Sequence, residues 1–251
     1  MTVKPRFIGS KIHHLEVCES TNDEAIKLLR GGDVQEGTII VTDIQKNGRG
    51  QRGNEWMAIP GQNLTCSVVL KPVFLKIQDQ FFLNIIVALA VSDLLIDLKI
   101  KGVVVKWPND ILVGTNKICG ILIENTIRKE LDSSIVGIGL NINQKDFGEL
   151  RATSIRSELG VEMEKSQVLN QLSQLLDKRY SLLRQGAYEE LKMTYLQRLY
   201  GMNESLMFDD GEQFIGEIVG ITNYGQLEIM KSGKLKSYNM KEVRFRFDFM
   251  N

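Results

Sequence analysis

Behind Thr21-Asn22-Asp23-Glu24, a capping-box pattern, the apolar residues Ala25, Ile26, Leu28 and Leu29 fall on one helical face, and Gly31-Gly32 offers a left-handed stop. A helix from Thr21 is therefore predicted. Short β-branched runs predict strands at 12–17, 38–42, Leu64–Leu70 and Val103–Lys106. Residues 111–113 and 118–123 flank Gly114-Thr115-Asn116, a hairpin turn signal, and 135–142 reads as another buried strand. Residues 81–98 form the longest apolar stretch, interrupted by Asn84, Asp93 and Asp97. It reads as a core helix, since a membrane span needs about 20 mostly apolar residues. Beyond Leu150 the pattern turns helical at 152–159, 166–183 and 188–200. Short strands then return at 214–221, 226–230, 235–239 and 243–247, punctuated by Gly211, Gly216, Gly220, Gly225 and Gly233. The expected class is α+β, with a mixed-sheet domain over 1–203 and a small five-stranded barrel over 204–251.

Composition narrows the function. In 251 residues, 31 basic side chains balance 31 acidic ones, so no broad basic face for nucleic acid is expected. Cys18, Cys66 and Cys119 form no C-x-x-C pair, which argues against a disulfide framework or a zinc site and for reduced, buried thiols in the cytoplasm. Residues 1–10 lack an apolar signal region, and neither a membrane nor a metal site is expected. His13 and His14 are adjacent on a predicted strand, so any His-centred triad would depend on these two.

Gly48-Arg49-Gly50-Gln51-Arg52-Gly53 satisfies G-x-G-x-x-G after a strand. A dinucleotide site needs that motif to open a helix, whereas Asn54 to Gly61 has no helical period and ends in Pro-Gly. No Gly-Lys-Ser/Thr follows, so a Walker loop fails too. What remains is either a solvated surface loop or one whose Lys46, Arg49 and Arg52 close on a carboxylate or phosphate. Lys106-Trp107-Pro108-Asn109-Asp110 places a lysine at the end of an apolar strand. There a charge either meets an anion or snorkels from an edge strand.

Together these blocks resemble the biotin–protein ligases, which share a catalytic fold with lipoate ligases. The resemblance rests on Ser20-Thr21-Asn22, Gln45 with Gly48-Arg49-Gly50, the Lys106 to Asp110 block, Lys117 to Glu124, and Gly137 to Asn143. The C-terminal strands resemble the SH3-like barrel of these enzymes. The resemblance implies that biotin and ATP give biotinyl-5′-AMP and pyrophosphate, and that the acyl group then passes to a lysine of a biotin carboxyl carrier domain. It implies Mg²⁺ with the ATP, and a monomer or weak homodimer. By the same resemblance Ser20, Thr21, Asn22 and Gln45 would hold the biotin head group, with plain helix capping the alternative for Ser20 and Thr21. Gly48 and Gly50 would let the loop approach the ligand, and Gly120 and Ile121 would line the biotin slot or simply pack the sheet. Arg49 and Lys106 would be the catalytic cations on the carboxylate and α-phosphate. Trp56 would stack on adenine or sit in the core, and Asn109, Lys117, Asn141 and Arg52 would serve the nucleotide end or the fold. Gln51, beside the biotin, departs from the pattern, since family members commonly have Arg there. Other readings are a lipoate-type ligase, a non-catalytic biotin or peptide binder, and a DNA-binding regulator; the last is disfavoured by the 19 residues before Ser20.

Overall fold

The first strands and helices alternate because their apolar patterns do. In the computed structural model, which describes residues 7–246 apart from Asp33, Asn54 and the side chain of Arg52, β1 (Ile12–Cys18) leads through α1 (Thr21–Gly31) to β2 (Ile39–Gln45). β1 and β2 pair in parallel, Ile12 opposite Ile39, as a helical crossover requires. Antiparallel strands complete the sheet: β3 (Leu64–Leu70), β4 (Val103–Lys106), β5 (Asp110–Val113), β6 (Asn116–Ile127) and β7 (Leu131–Leu140), in the order β1-β2-β3-β7-β6-β5-β4. β3 is buried at every position because both faces are covered. On one side lies α1, with Ala25 packed among Val34, Ile40, Val69 and Ile135. On the other lies α2 (Phe81–Asp97), backed by α4 (Lys165–Arg184) and α5 (Tyr188–Gln197). The stretch Ile77–Asp97 is long and apolar enough by composition to cross a membrane, yet most of it is buried inside the protein. Its one deeply placed charge, Asp93, is met by Arg179 at 2.7 and 3.0 Å and by Arg198 at 2.8 Å.

A second, antiparallel sheet follows: β8 (Ser205–Asp209), β9 (Gln213–Ile221), β10 (Leu227–Lys231), β11 (Lys234–Tyr238) and β12 (Arg244–Phe245), ordered β11-β10-β9-β8-β12. It is joined to the first by contacts that the sequence did not announce. Val105 of edge strand β4 donates its N–H to Arg198 O and accepts from Tyr200 N–H, both at 2.8 Å, so the segment after α5 covers that edge. Trp107 Nε1–H donates to Gly225 O at 2.8 Å. Gly225 has φ +80°, and a Cβ there would lie 2.1 Å from Phe81 Cγ, so only glycine fits against α2. Phe208, Ile218 and Leu227 accordingly share one buried cluster with Phe81 and Tyr195.

Several local expectations are corrected. The capping box does not form: Ser20 occupies the cap position, Thr21 is already helical, and Glu24 pairs with Lys27 at 2.7 Å. The left-handed stop does form, at Gly32 with φ 78°. The helix expected from 152 starts at Ile155 (α3, Ile155–Leu159), because Ser154 accepts from Ser157 N–H while Ala152 and Thr153 pair with Lys117. β6 runs on to Ile127 and β7 begins at Leu131, since polar Asn125 and Thr126 find β7 partners Ser134 and Ser133. The last residue of the strand expected at 243–247 lies outside the described residues.

Candidate active site

Three elements converge where β6 and β7 carry glycines instead of side chains. A Cβ on Gly137 would lie 2.6 Å from Asn22 Oδ1, and one on Gly139 would lie 2.3 Å from the Trp56 ring, so the start of α1 and the indole rest directly on the sheet. Beside them opens a cavity of about 460 Å³, within the range that holds small ligands. Its walls come from Ser20, Thr21 and Asn22, from Gln45, from Arg49, Gly50, Gln51 and Trp56 of the glycine-rich loop, and from the turn of Lys106 to Asp110. Lys117, Gly120 and Ile121 complete the sheet side.

The head of α1 is fixed by a polar relay. Gln45 Oε1 accepts from Thr21 N–H at 2.8 Å, and the Ser67 hydroxyl lies 2.7 Å from Thr21 Oγ1 and donates to Asn22 Oδ1 at 2.6 Å. Asn22 Nδ2 donates to Glu124 Oε2 at 2.7 Å. Arg49 Nη2 then bonds both that same oxygen, at 3.1 Å, and Asp23 Oδ1, at 2.7 Å. Thr21 is not free to cap its helix because its hydroxyl is turned toward Gln45 and Ser67.

Opposite stands a wall of cations. Asp110 lies between two lysines, 2.6 Å from Lys117 Nζ and 4.0 Å from Lys106 Nζ. Burial pulls the Lys106 ammonium below the usual lysine value of 10.5; Asp110 opposes this and Lys117 adds to it. Activity that needs Lys106 charged is present below its lowered pKa and is lost as pH rises through it. Asp110→Asn is therefore expected to move the alkaline limb of the kcat/KM profile to lower pH, and Lys117→Gln to move it to higher pH. Shifts in one direction for both, or in neither, would remove Lys106 as the titrating group.

The structure brings most of the expected residues to this cavity and separates others. Gly48 is not on its wall. Trp56 N–H donates to Gly48 O at 2.9 Å, and a Cβ on Gly48 would lie 2.2 Å from Trp56 O, so this glycine closes the loop on itself and, with Arg49, Gly50 and Trp56, borders an adjoining cavity. Asn141 is also off the wall, buried, with Nδ2 donating to Thr153 O at 2.9 Å; its geometry is that of a structural amide. Asn109 faces the cavity while its Nδ2 donates to Ile121 O at 2.7 Å, holding β6. The Trp56 ring lies 5.8 Å from Lys117 Nζ, and its Nε1–H is a buried donor without an acceptor among the described residues, which a ligand could satisfy. The side chain of Arg52 lies outside the described residues. Sequence reasoning missed Lys241 and Arg244, which line the same cavity beside Met240, Val243 and Phe245. It also missed Glu124 and Asp23 as partners of Arg49.

This arrangement can bind an anion-bearing ligand over a glycine floor. The chain is 28% identical over 248 residues to the Bifunctional ligase/repressor BirA of Bacillus subtilis (strain 168), covering 96% of this chain and 76% of that protein. It is 27% identical over 219 residues to the Biotin--[acetyl-CoA-carboxylase] ligase of Paracoccus denitrificans, 83% of this chain and 90% of that one. Among solved structures, the biotin protein ligase from Aquifex aeolicus in complex with biotin and ATP superposes with a TM-score of 0.80 at 26% identity, covering 94% of this chain and 98% of that chain. The sequence model of the Biotin/lipoate A/B protein ligase family matches residues 14–141, more than half of the chain and nearly all of the seven-stranded sheet, and the chain belongs to that family.

Proposed function

We propose that this protein joins biotin and ATP into biotinyl-5′-AMP, releasing pyrophosphate, and passes the biotinyl group to one lysine of a biotin carboxyl carrier domain. The observation that carries this reading is the meeting of Arg49, Lys106 and Lys117 around one cavity whose floor is glycine. In the first step a carboxylate oxygen of biotin attacks the α-phosphorus of ATP. Two anions must approach, and fixed cations in a site shielded from water stabilise the charge that gathers between them. In the second step the acceptor amine attacks the acyl carbon and AMP leaves. The acyl-adenylate is already activated, so the chemistry asks for charge stabilisation rather than a serine or histidine nucleophile.

Ser20, Thr21, Asn22 and Gln45 are assigned to the biotin head group, with Gly50, Gly120 and Ile121 beside its chain. Arg49 and Lys106 take the carboxylate and α-phosphate, and Trp56, Asn109 and Lys117 the nucleotide side. Lys241 and Arg244, which line the same cavity, are assigned to the remaining phosphates. Magnesium enters as part of the substrate, bound to ATP oxygens and water. Residues 1–203 form the catalytic domain in this reading, and 204–251 a C-terminal unit that closes the site. The carrier domain is the protein partner, the ligase itself is a monomer or weak homodimer, and three free, buried cysteines support a reducing, cytoplasmic setting. The deciding experiment supplies ATP, Mg²⁺ and either biotin or lipoate, and measures pyrophosphate release and transfer to a carrier domain. Release and transfer with biotin alone are expected. Transfer of lipoate would replace this reading, and binding without pyrophosphate release would reduce it to a biotin binder.

Gln51 lines the cavity where related ligases commonly carry arginine, so this chain lacks one fixed charge near the intermediate. Arg52, next in the loop, is expected to make up for it. Arg52→Ala should speed biotinyl-AMP release about tenfold to hundredfold, the loss of one hydrogen bond to a charged group, and much less in a Gln51→Arg background. Equal effects in the two backgrounds would refute the compensation.

A further inference from the structure

Arg49 stands between two glycines, its backbone bridged to Glu55, and among the described residues the partners of its guanidinium lie outside the loop. What fixes it comes from elsewhere. One oxygen of Glu124, Oε2, accepts from Arg49 Nη2 at 3.1 Å and from Asn22 Nδ2 at 2.7 Å, and Asn22 is itself oriented by the Ser67 hydroxyl at 2.6 Å. Asp23 holds the same Nη2 from the other side at 2.7 Å. A guanidinium has five N–H donors. These two carboxylates engage Nη2, and among the described residues no protein acceptor takes Nη1 or Nε, so both can serve a ligand in the cavity that Arg49 lines.

We propose that Glu124 is a positioning residue for the ligase reaction, transmitting the fixed geometry of the sheet through Ser67 and Asn22 to Arg49. The inference rests on the functional reading above. Ser67 is buried on β3 and Asn22 is buried at the head of α1, so the relay begins at two rigid points and ends on a loop. An arginine gains catalytic value only when its rotamer is held in advance, because a misplaced donor contributes little to the transition state. Glu124 lies in the part of β6 whose polar residues extend the strand, with Ile135 opposite it on β7. The same carboxylate orients Asn22, so its loss also loosens the wall assigned to the biotin head group.

The test is a double-mutant cycle on biotin-dependent adenylate formation, with biotin affinity measured separately without ATP. Glu124→Ala is expected to lower the single-turnover rate about 10- to 100-fold, the range for losing a hydrogen bond to a charged group. Glu124→Gln keeps the shape and an acceptor oxygen and should lose only about three- to tenfold, with a melting temperature like that of the unaltered protein. In an Arg49→Lys background both changes should cost less than about twofold in rate, since the fork they orient is gone. The weakening of biotin binding through Asn22 should persist there. Losses that multiply with Arg49→Lys, or Glu124 variants within twofold of the unaltered enzyme, would overturn the proposal. Absence of biotin-dependent pyrophosphate release in the unaltered protein would overturn the functional reading instead, so the two failures are told apart.

Discussion

Replacing Lys106 with alanine is expected to slow adenylate formation about 100- to 1,000-fold while the protein remains folded. The side chain reaches the cavity from the end of β4, and its ammonium lies 4.0 Å from Asp110. Burial already works against its charge, so a lysine kept here is held at a cost to its own solvation. Such a residue is expected to contribute where charge develops, at the junction of carboxylate and α-phosphate. The loss should therefore fall on kcat, with a smaller change in the KM for biotin. Lys106→Arg would not restore the rate, because a planar fork does not replace a compact ammonium between Asp110 and the cavity. A folded Lys106→Ala enzyme with near-normal turnover would remove this residue from the chemistry.

Removing the Asp93 carboxylate, by contrast, should leave the site alone and undermine the fold by about 3–5 kcal/mol, as expected when one member of a buried ionic cluster is deleted. Asp93→Ala would strand Arg179 and Arg198, whose side chains are only 11% and 21% exposed, between α2 and its covering helices. For a chain of this size the melting temperature should fall by roughly 6–20 °C. Burial alone would raise the Asp93 carboxyl, but the bonds from Arg179 and Arg198 outweigh it and hold it below the ordinary 3.8. Its contribution is thus present above about pH 4 and fades as pH falls through the lowered value. Thermal melts of Asp93→Ala at pH 7 and pH 3 test both parts. The deficit against the unaltered protein should be large at pH 7 and shrink at pH 3, and a deficit independent of pH would contradict the ionic account.

The sheet was legible in the chain wherever burial dictated the pattern. β3 and β4 lie where their apolar runs predict, and α2 ends one residue before its predicted limit. Legibility failed where a polar side chain had two claimants. Thr21 reads as a cap, but the pull of Gln45 and Ser67, far away in sequence, decides its rotamer. The polar run Glu124 to Thr126 looks like the end of a strand, yet β7 pairs with it throughout. For the site, glycine blocks and strand-end cations are local signals and could be read directly. Lys241 and Arg244 carry no such signal, because their place at the cavity follows from how β9 and β10 dock on Trp107 and α2. Asn141, set in a block that resembles the family, was open to two roles, and only its partner Thr153 O shows that its amide serves the backbone.

The dock of Trp107 on Gly225 has a kinetic corollary. The cavity is walled by residues near position 20 and by residues past 240, and the bond that joins its two halves spans 118 positions of chain. Contacts of such high order must wait for a large loop to close, so they form late and slowly compared with the helices. On a ribosome, the seven-stranded sheet can be translated in full while the cavity still lacks a wall. Nascent chains should therefore acquire helical structure well before they can hold a reactive acyl-adenylate, and refolding followed by far-UV dichroism should run ahead of refolding followed by biotin-dependent pyrophosphate release.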